Sequence, residues 1–263
     1  MRRQQGMRLD DRYVPYLQMA GLYHLARLND RWFRLDEALV SAFVERWRPE
    51  THTFHMPFGE CTLTLQDVAY QLGLPVDGHY VSGCLSEFHI YIQGGRPAWE
   101  TFGECPEGVN DETVRRYARA YIMMLLGTQL FADKSGNRIH IRWLPYVARL
   151  EEMGTYSWGS ATLAWLYRCM CRVANRHVVK WLGYNPSSSE KGPRVQMWRL
   201  RIDRLQDREV VHPEALEPWH MALWRSVTSL IYFAVIEWHK IDRVDDEARE
   251  GDGEGVVGGP PSS

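Results

Sequence analysis

The chain has 263 residues, of which 45% are apolar, and a formal net charge of −2. That length can bury one large core or two small ones, and the near-neutral balance excludes a strong electrostatic drive toward nucleic acid or a membrane surface. Only Lys134, Lys180, Lys191 and Lys240 are lysines, so 27 of the 31 basic residues are arginine, a bias that suits ion pairs, ring stacking and phosphate contacts alike.

Residues 1–11 begin MRRQQGMRLD, have no apolar core, and read as a disordered N-terminus rather than a signal peptide. Tyr13 to Leu28 reads as a helix with Tyr16, Met19, Ala20 and Tyr23 on one side. A second helix is expected from Asp36 to Trp47, because Leu35, Leu39, Phe43 and Trp47 recur every four residues and Pro49 blocks extension. Thr53–Met56 reads as a strand, Pro57–Glu60 as a turn and Cys61–Leu63 as the return strand. Thr64 and Asp67 have the spacing of a capping box, and Gly73 then Pro75 stop the short helix that follows.

The region Ser82–Gly108 is glycine-rich and irregular. Asn110 or Asp111 caps a long helix with Val114, Tyr117, Tyr121 and Leu125 on its inner face. Lys134–Asn137 is a turn, Arg138–Trp143 an extended run, and Ala161–Ala174 a helix. Asn185–Pro193 is the best internal linker. Pro213 opens a final helical region lined by Leu223, Val227, Ile231, Ala234 and Trp238. Residues 245–263 are acidic and then rich in glycine and proline, a composition that forms no core. The fold class expected is mainly α, an irregular helical domain over 12–244 with one or two small β-hairpins.

Candidate chemistry is sparse. His52 and His55, with Cys61, invite a metal reading, but His residues three apart on a strand point to opposite faces and no second Cys lies close to Cys61. The five cysteines, Cys61, Cys84, Cys105, Cys169 and Cys171, show no CxxC pairing, so reduced thiols in an intracellular compartment are expected. The longest apolar run near the C-terminus, Leu230–Ile236, is too short to span a bilayer. Glu237-Trp238-His239, read as a helix end, places its acid and base in different directions. No catalytic, cofactor-binding or metal residue is nominated.

Three blocks carry a family resemblance. They are Met19–Gly83, which contains ERWRPETHTFHMPFGECTLTLQDVAYQLGLPVDG; Ala118–Ala174, which contains WLPYVARLEEMGTYSWGSATLAWLYR; and Ser226–Val244, SVTSLIYFAVIEWHKIDRV. Together they resemble the plant mobile domain, the domain of MAINTENANCE OF MERISTEMS-like proteins and of phosphatase 7 long form-like proteins. The resemblance implies a nuclear protein of transposon-related origin that supports meristem maintenance, transposon silencing and genome stability through protein partners, among them a phosphatase-like relative. The family's alternative label, aminotransferase-like, finds no support: pyridoxal phosphate needs a lysine in an apolar site, and of the four only Lys180 has apolar neighbours. Metallophosphatase motifs are also absent from the sequence, so no cofactor and no enzyme activity are expected. Where the family continues after Ala174 into a leucine-rich helix, this chain has NRHVVKWLGYNPSSSEKGP, so a truncated, inactive copy is a further reading. Nucleic acid is the weaker candidate partner, through Arg115-Arg116 and the run Arg199–Arg204. No membrane partner is expected.

Overall fold

The computed structural model describes residues 7–30, 35–83, 92–93, 96–97, 103–132, 140–174, 191–206, 222–223 and 226–239. Among these, helices dominate and are joined by three small antiparallel sheets, the mainly α architecture expected. Order begins early. Met7 is buried, and the Asp10 carboxylate accepts the Arg12 backbone N–H to open a 3-10 turn over Asp11–Tyr13. Of residues 7–11, assigned to the tail by sequence, Met7 and Leu9 therefore pack against the core and Asp10 caps the first turn, while Arg8 and Asp11 stay exposed.

That turn runs into α1 (Val14–Met19), and the chain breaks before α2 (Tyr23–Asn29). The break sits at Gly21, whose φ of 69° lies in the left-handed region and where a Cβ would stand 2.7 Å from Pro75. The single helix expected over Tyr13–Leu28 is thus two.

Asp36 caps α3 (Glu37–Val44), its carboxylate accepting the N–H groups of Ala38 and Leu39 at 3.0 and 3.2 Å. The helix stops before Trp47, which instead enters β1 (Trp47–Arg48) and pairs with Phe54 of β2 (Thr53–Met56). Packing explains the difference. In the strand the Trp47 ring lies edge-on to Phe54 at 4.9 Å and beside Tyr167 at 5.5 Å, and Pro49 forbids helix beyond it. β3 (Gly59–Cys61) completes the sheet in the order β1-β2-β3 and starts two residues before the return strand expected from sequence.

The capping box opens α4 (Leu65–Leu72) as expected: the Thr64 N–H donates to the Asp67 carboxylate at 2.8 Å, and the Asp67 N–H donates to the Thr64 hydroxyl at 3.3 Å. Gly73 ends the helix at φ 60°, and Leu74 tucks into the core. A two-residue pair follows, β4 (Ile92–Gln93) with β5 (Arg96–Pro97). Asn110 caps α5 (Asp111–Met124), which continues as a π-helical turn over Leu125–Leu130.

Ile141–Trp143, expected to be extended, is a 3-10 turn opened by the His140 ring; α6 (Leu144–Ala148) and α7 (Leu150–Met153) follow it. α8 (Trp158–Ala174) starts three residues earlier than the sequence suggests. Lys191–Pro193, read as the end of a linker, form the first turn of α9 (Lys191–Asp203).

The last expected helix is overturned. Thr228–Tyr232 is β6 and Val235–His239 is β7, an antiparallel hairpin paired from Thr228↔His239 to Tyr232↔Val235 across the two-residue connection Phe233-Ala234. The turn Lys134–Asn137, residues 185–190, Pro213 and the tail 245–263 lie outside the described residues.

α8 organises the rest, contacting α3, α4, β1, β6 and β7. Its Trp158 is fully buried with Trp143, Trp47, Tyr13 and Tyr121. Around Trp143, the rings of Phe131, Tyr146, Trp158, Tyr232 and Phe233 lie 4.9 to 6.3 Å away, so the aromatic excess builds core.

Candidate functional site

Two places concentrate polar chemistry. The first is where the β1–β2 turn, α8 and β7 meet. His52 occupies this turn in the left-handed region at φ 57°, a conformation uncommon outside glycine. Its ring stacks on Trp47 at 5.9 Å and lies 5.1 Å from Tyr167. The Glu237 carboxylate of β7 approaches His52 Nδ1 at 3.6 Å. The Trp47 indole N–H donates to Cys171 Sγ at 3.4 Å, and the Tyr167 hydroxyl donates to the Leu63 carbonyl at 2.6 Å. Burial pushes the Cys171 thiol up, so this sulfur stays protonated and acts as an acceptor for Trp47. The polar atoms here hold two hairpins against α8.

This geometry separates the residues that sequence would gather into a metal site. His52 turns inward, whereas His55 pairs with Glu60 across the β2–β3 ladder. Burial, then the nearby Asp67 and Glu60, raise the Cys61 thiol to about 11. Among the described residues no group of three His, Cys, Asp or Glu side chains is placed to hold a metal ion. Glu237-Trp238-His239 lies on a strand, so the helical argument for its divergence does not apply. Of the lysines, Lys191 opens α9; Lys134, Lys180 and Lys240 lie outside the described residues.

The second place is α9, which lies along α3. Its inner face is tied down by acids from α3 and its flanks. Asp36 accepts from the Trp198 indole N–H at 3.1 Å and from Arg194 at 3.2 Å, and Glu45 accepts Arg199 in a two-bond fork at 2.7 Å. Arg46 pairs with Asp203, and Ile202 is buried. The outer face is different. Met197 and Leu200 are 40% and 48% exposed, they share that face with the exposed Arg201, and the exposed Arg204 follows in the turn that ends the helix. Arg201 lies over the Trp198 ring at 4.9 Å.

The arginines singled out by sequence thus divide. Arg199 is consumed in an ion pair with Glu45, Arg115 pairs with Glu151, and neighbouring Arg119 donates to the Val147 and Ala148 carbonyls at 3.1 Å. Arg116, Arg201 and Arg204 remain exposed. Sequence reasoning missed Asp36 and Glu45 as the partners of α9, which no local pattern signals across more than 150 residues.

A family model described as plant mobile domain matches residues 21–202, well over half of the chain. The chain belongs to the plant mobile domain family. Three relatives from Arabidopsis thaliana bear this out. "Serine/threonine-protein phosphatase 7 long form homolog" is 32% identical over 316 residues, covering 91% of this chain and 23% of the relative. "Protein MAIN-LIKE 1" is 34% identical, over 90% of this chain and 58% of the relative. "Protein MAINTENANCE OF MERISTEMS" is 30% identical, over 81% and 58%. This plant mobile domain chain therefore spans between about a quarter and three-fifths of the length of those relatives. No solved structure matches it. The plant mobile domain match takes in the His52 junction except its β7 side, and nearly all of α9.

Proposed function

We propose that this plant mobile domain is a non-enzymatic interaction module of the nucleus, acting through protein partners in meristem maintenance, transposon silencing and genome stability. The observation that carries the reading is the outer face of α9, where Met197 and Leu200 stand exposed between arginines on a helix whose other face is fixed to α3. Apolar anchors ringed by arginine are the composition of a partner surface. The name of the relative MAINTENANCE OF MERISTEMS supports a meristem role, and that of phosphatase 7 long form homolog supports a link to phosphatases. At the His52 junction the acid, the thiol and the phenol serve packing, which favours binding over catalysis.

Affinity capture from plant nuclei tests the reading. The unaltered chain is expected to recover chromatin proteins or a phosphatase-like relative, and Met197→Asp with Leu200→Asp to lose them. Recovery of neither class, or equal recovery by the variant, counts against it. Nucleic acid is the weaker partner, because Arg115 and Arg199 are spent on Glu151 and Glu45. Undetectable DNA affinity at low salt, where phosphate contacts are strongest, removes that second reading.

A further inference from the structure

The outer face of α9, with the turn that ends it, presents Arg201 and Arg204 with Met197 and Leu200, and Asp36, Glu45 and Asp203 are already engaged by Trp198, Arg194, Arg199 and Arg46. Among the described residues, the face therefore carries basic charge that no acidic neighbour neutralises. One segment of the chain has the complementary chemistry. Residues 245–257 read DDEAREGDGEGVV: six acids, Asp245, Asp246, Glu247, Glu250, Asp252 and Glu254, against the single Arg249, followed by Val256-Val257.

The chain leaves β7 at His239, with five residues between it and this segment. β7 brings Glu237 to within 3.6 Å of His52, His52 stacks on Trp47, and Arg46, next to Trp47, pairs with Asp203 at the C-terminal end of α9. A continuous run of contacts thus links the end of the hairpin to the end of α9. The six residue steps from His239, the end of β7, to Asp245 span up to ~20 Å when extended, about the length of a 13-residue helix.

We propose that the acidic segment 245–257 docks across the outer face of α9, its carboxylates on Arg201 and Arg204 and its valines against Met197 and Leu200. The segment then covers the surface assigned above to partners, so that partner binding and tail docking compete. The idea shares that surface with the proposed function but is tested on the purified chain with no partner present, so failure of one is distinguishable from failure of the other.

The full chain carrying p-benzoylphenylalanine in place of Val256 is irradiated and the crosslinked peptides are mapped. A crosslink within one copy to Met197–Arg204 is expected. It is expected to weaken several-fold in Arg201→Glu with Arg204→Glu, two exposed sites. On the otherwise unaltered chain it is expected to fade between about 0.05 M and about 1 M salt, as the screening length shrinks to ~3 Å. The salt series stands alone should the double variant fail to fold. Absence of any crosslink to α9, a crosslink indifferent to both treatments, or a crosslink joining two copies overturns the proposal.

Discussion

Burial decides how single side chains behave. Burial holds the thiols of Cys61 and Cys169 at about 11, reinforced at Cys61 by Asp67 and Glu60 and opposed at Cys169 by Arg172 and Arg168. The thiolate is the reactive species, so near pH 8 these two sulfurs are expected to alkylate on the order of a hundredfold more slowly than in the unfolded chain. Mass-resolved iodoacetamide labelling with and without denaturant checks this, and fast labelling of either site in the folded protein contradicts it. Gly78 is limited by space rather than charge. At φ 113° a Cβ would sit 2.1 Å from the Thr155 carbonyl oxygen, on the strand-like contact where His79 donates to that same carbonyl. Gly78→Ala is therefore expected to cost at least about 2 kcal/mol, from backbone strain and displacement of the α7–α8 connection. Urea unfolding reads it directly.

At the scale of elements, those with chemical punctuation were legible in the sequence. Thr64 with Asp67, Gly73 and Asn110 all do what their spacing indicates, because each bonds to backbone a few residues away. Thr64→Ala is expected to cost ~1 kcal/mol through loss of the cap, measured by thermal or urea unfolding. Elements set by distant partners were not legible. Val227, Ile231, Ala234 and Trp238 fall at helical spacing, yet Leu230, Tyr232 and Val235 face the core in a hairpin. Its connection, Phe233-Ala234, lacks the Asn-Gly chemistry that flags such turns, and Phe233 adopts φ 51° with its N–H donating to the Val81 carbonyl. Of the candidate surface, the arginine run of α9 was visible and its anchoring acids were not. Asp36 makes this anchor pH-sensitive. The Leu39 N–H, the Trp198 indole, Arg194 and the Ala38 N–H hold its carboxyl below the ordinary value of 3.8. A depressed folded value means its contribution is present above about pH 4 and lost as pH falls through that lower value. Acidification below about pH 4 is expected to loosen α9 from α3, seen as a change in Trp198 fluorescence, and Asp36→Asn is expected to flatten that response.

The molecule as a whole does not close within the boundaries of its family match. Residues 21–202 contain the β1–β3 sheet, α8 and nearly all of α9, yet the core they form is completed from both sides. Tyr13 and Leu17 are buried before residue 21, with the Tyr13 ring 5.7 Å from Tyr121 of α5. After residue 202, β6 lies on α8, Tyr232 stacks on Phe131 at 4.7 Å, and Glu237 reaches His52. A fragment of 21–202 would expose Tyr121, Phe131 and Trp165 while losing Tyr13, Leu17, Leu230, Tyr232 and Val235 from the core. Each lost large side chain corresponds to ~2–5 kcal/mol by comparison with core truncations, so five of them, ~10–25 kcal/mol, match or exceed the ~5–15 kcal/mol that stabilises a whole domain. The fragment is therefore expected to lack a cooperative unfolding transition and to bind a hydrophobic dye, whereas residues 7–239 unfold in one step. A two-state 21–202 fragment would show that the N-terminal turn and the C-terminal hairpin decorate a finished core. The absence of that transition would show that the α8 hub needs both flanks to hold Trp143 and Trp158 out of water.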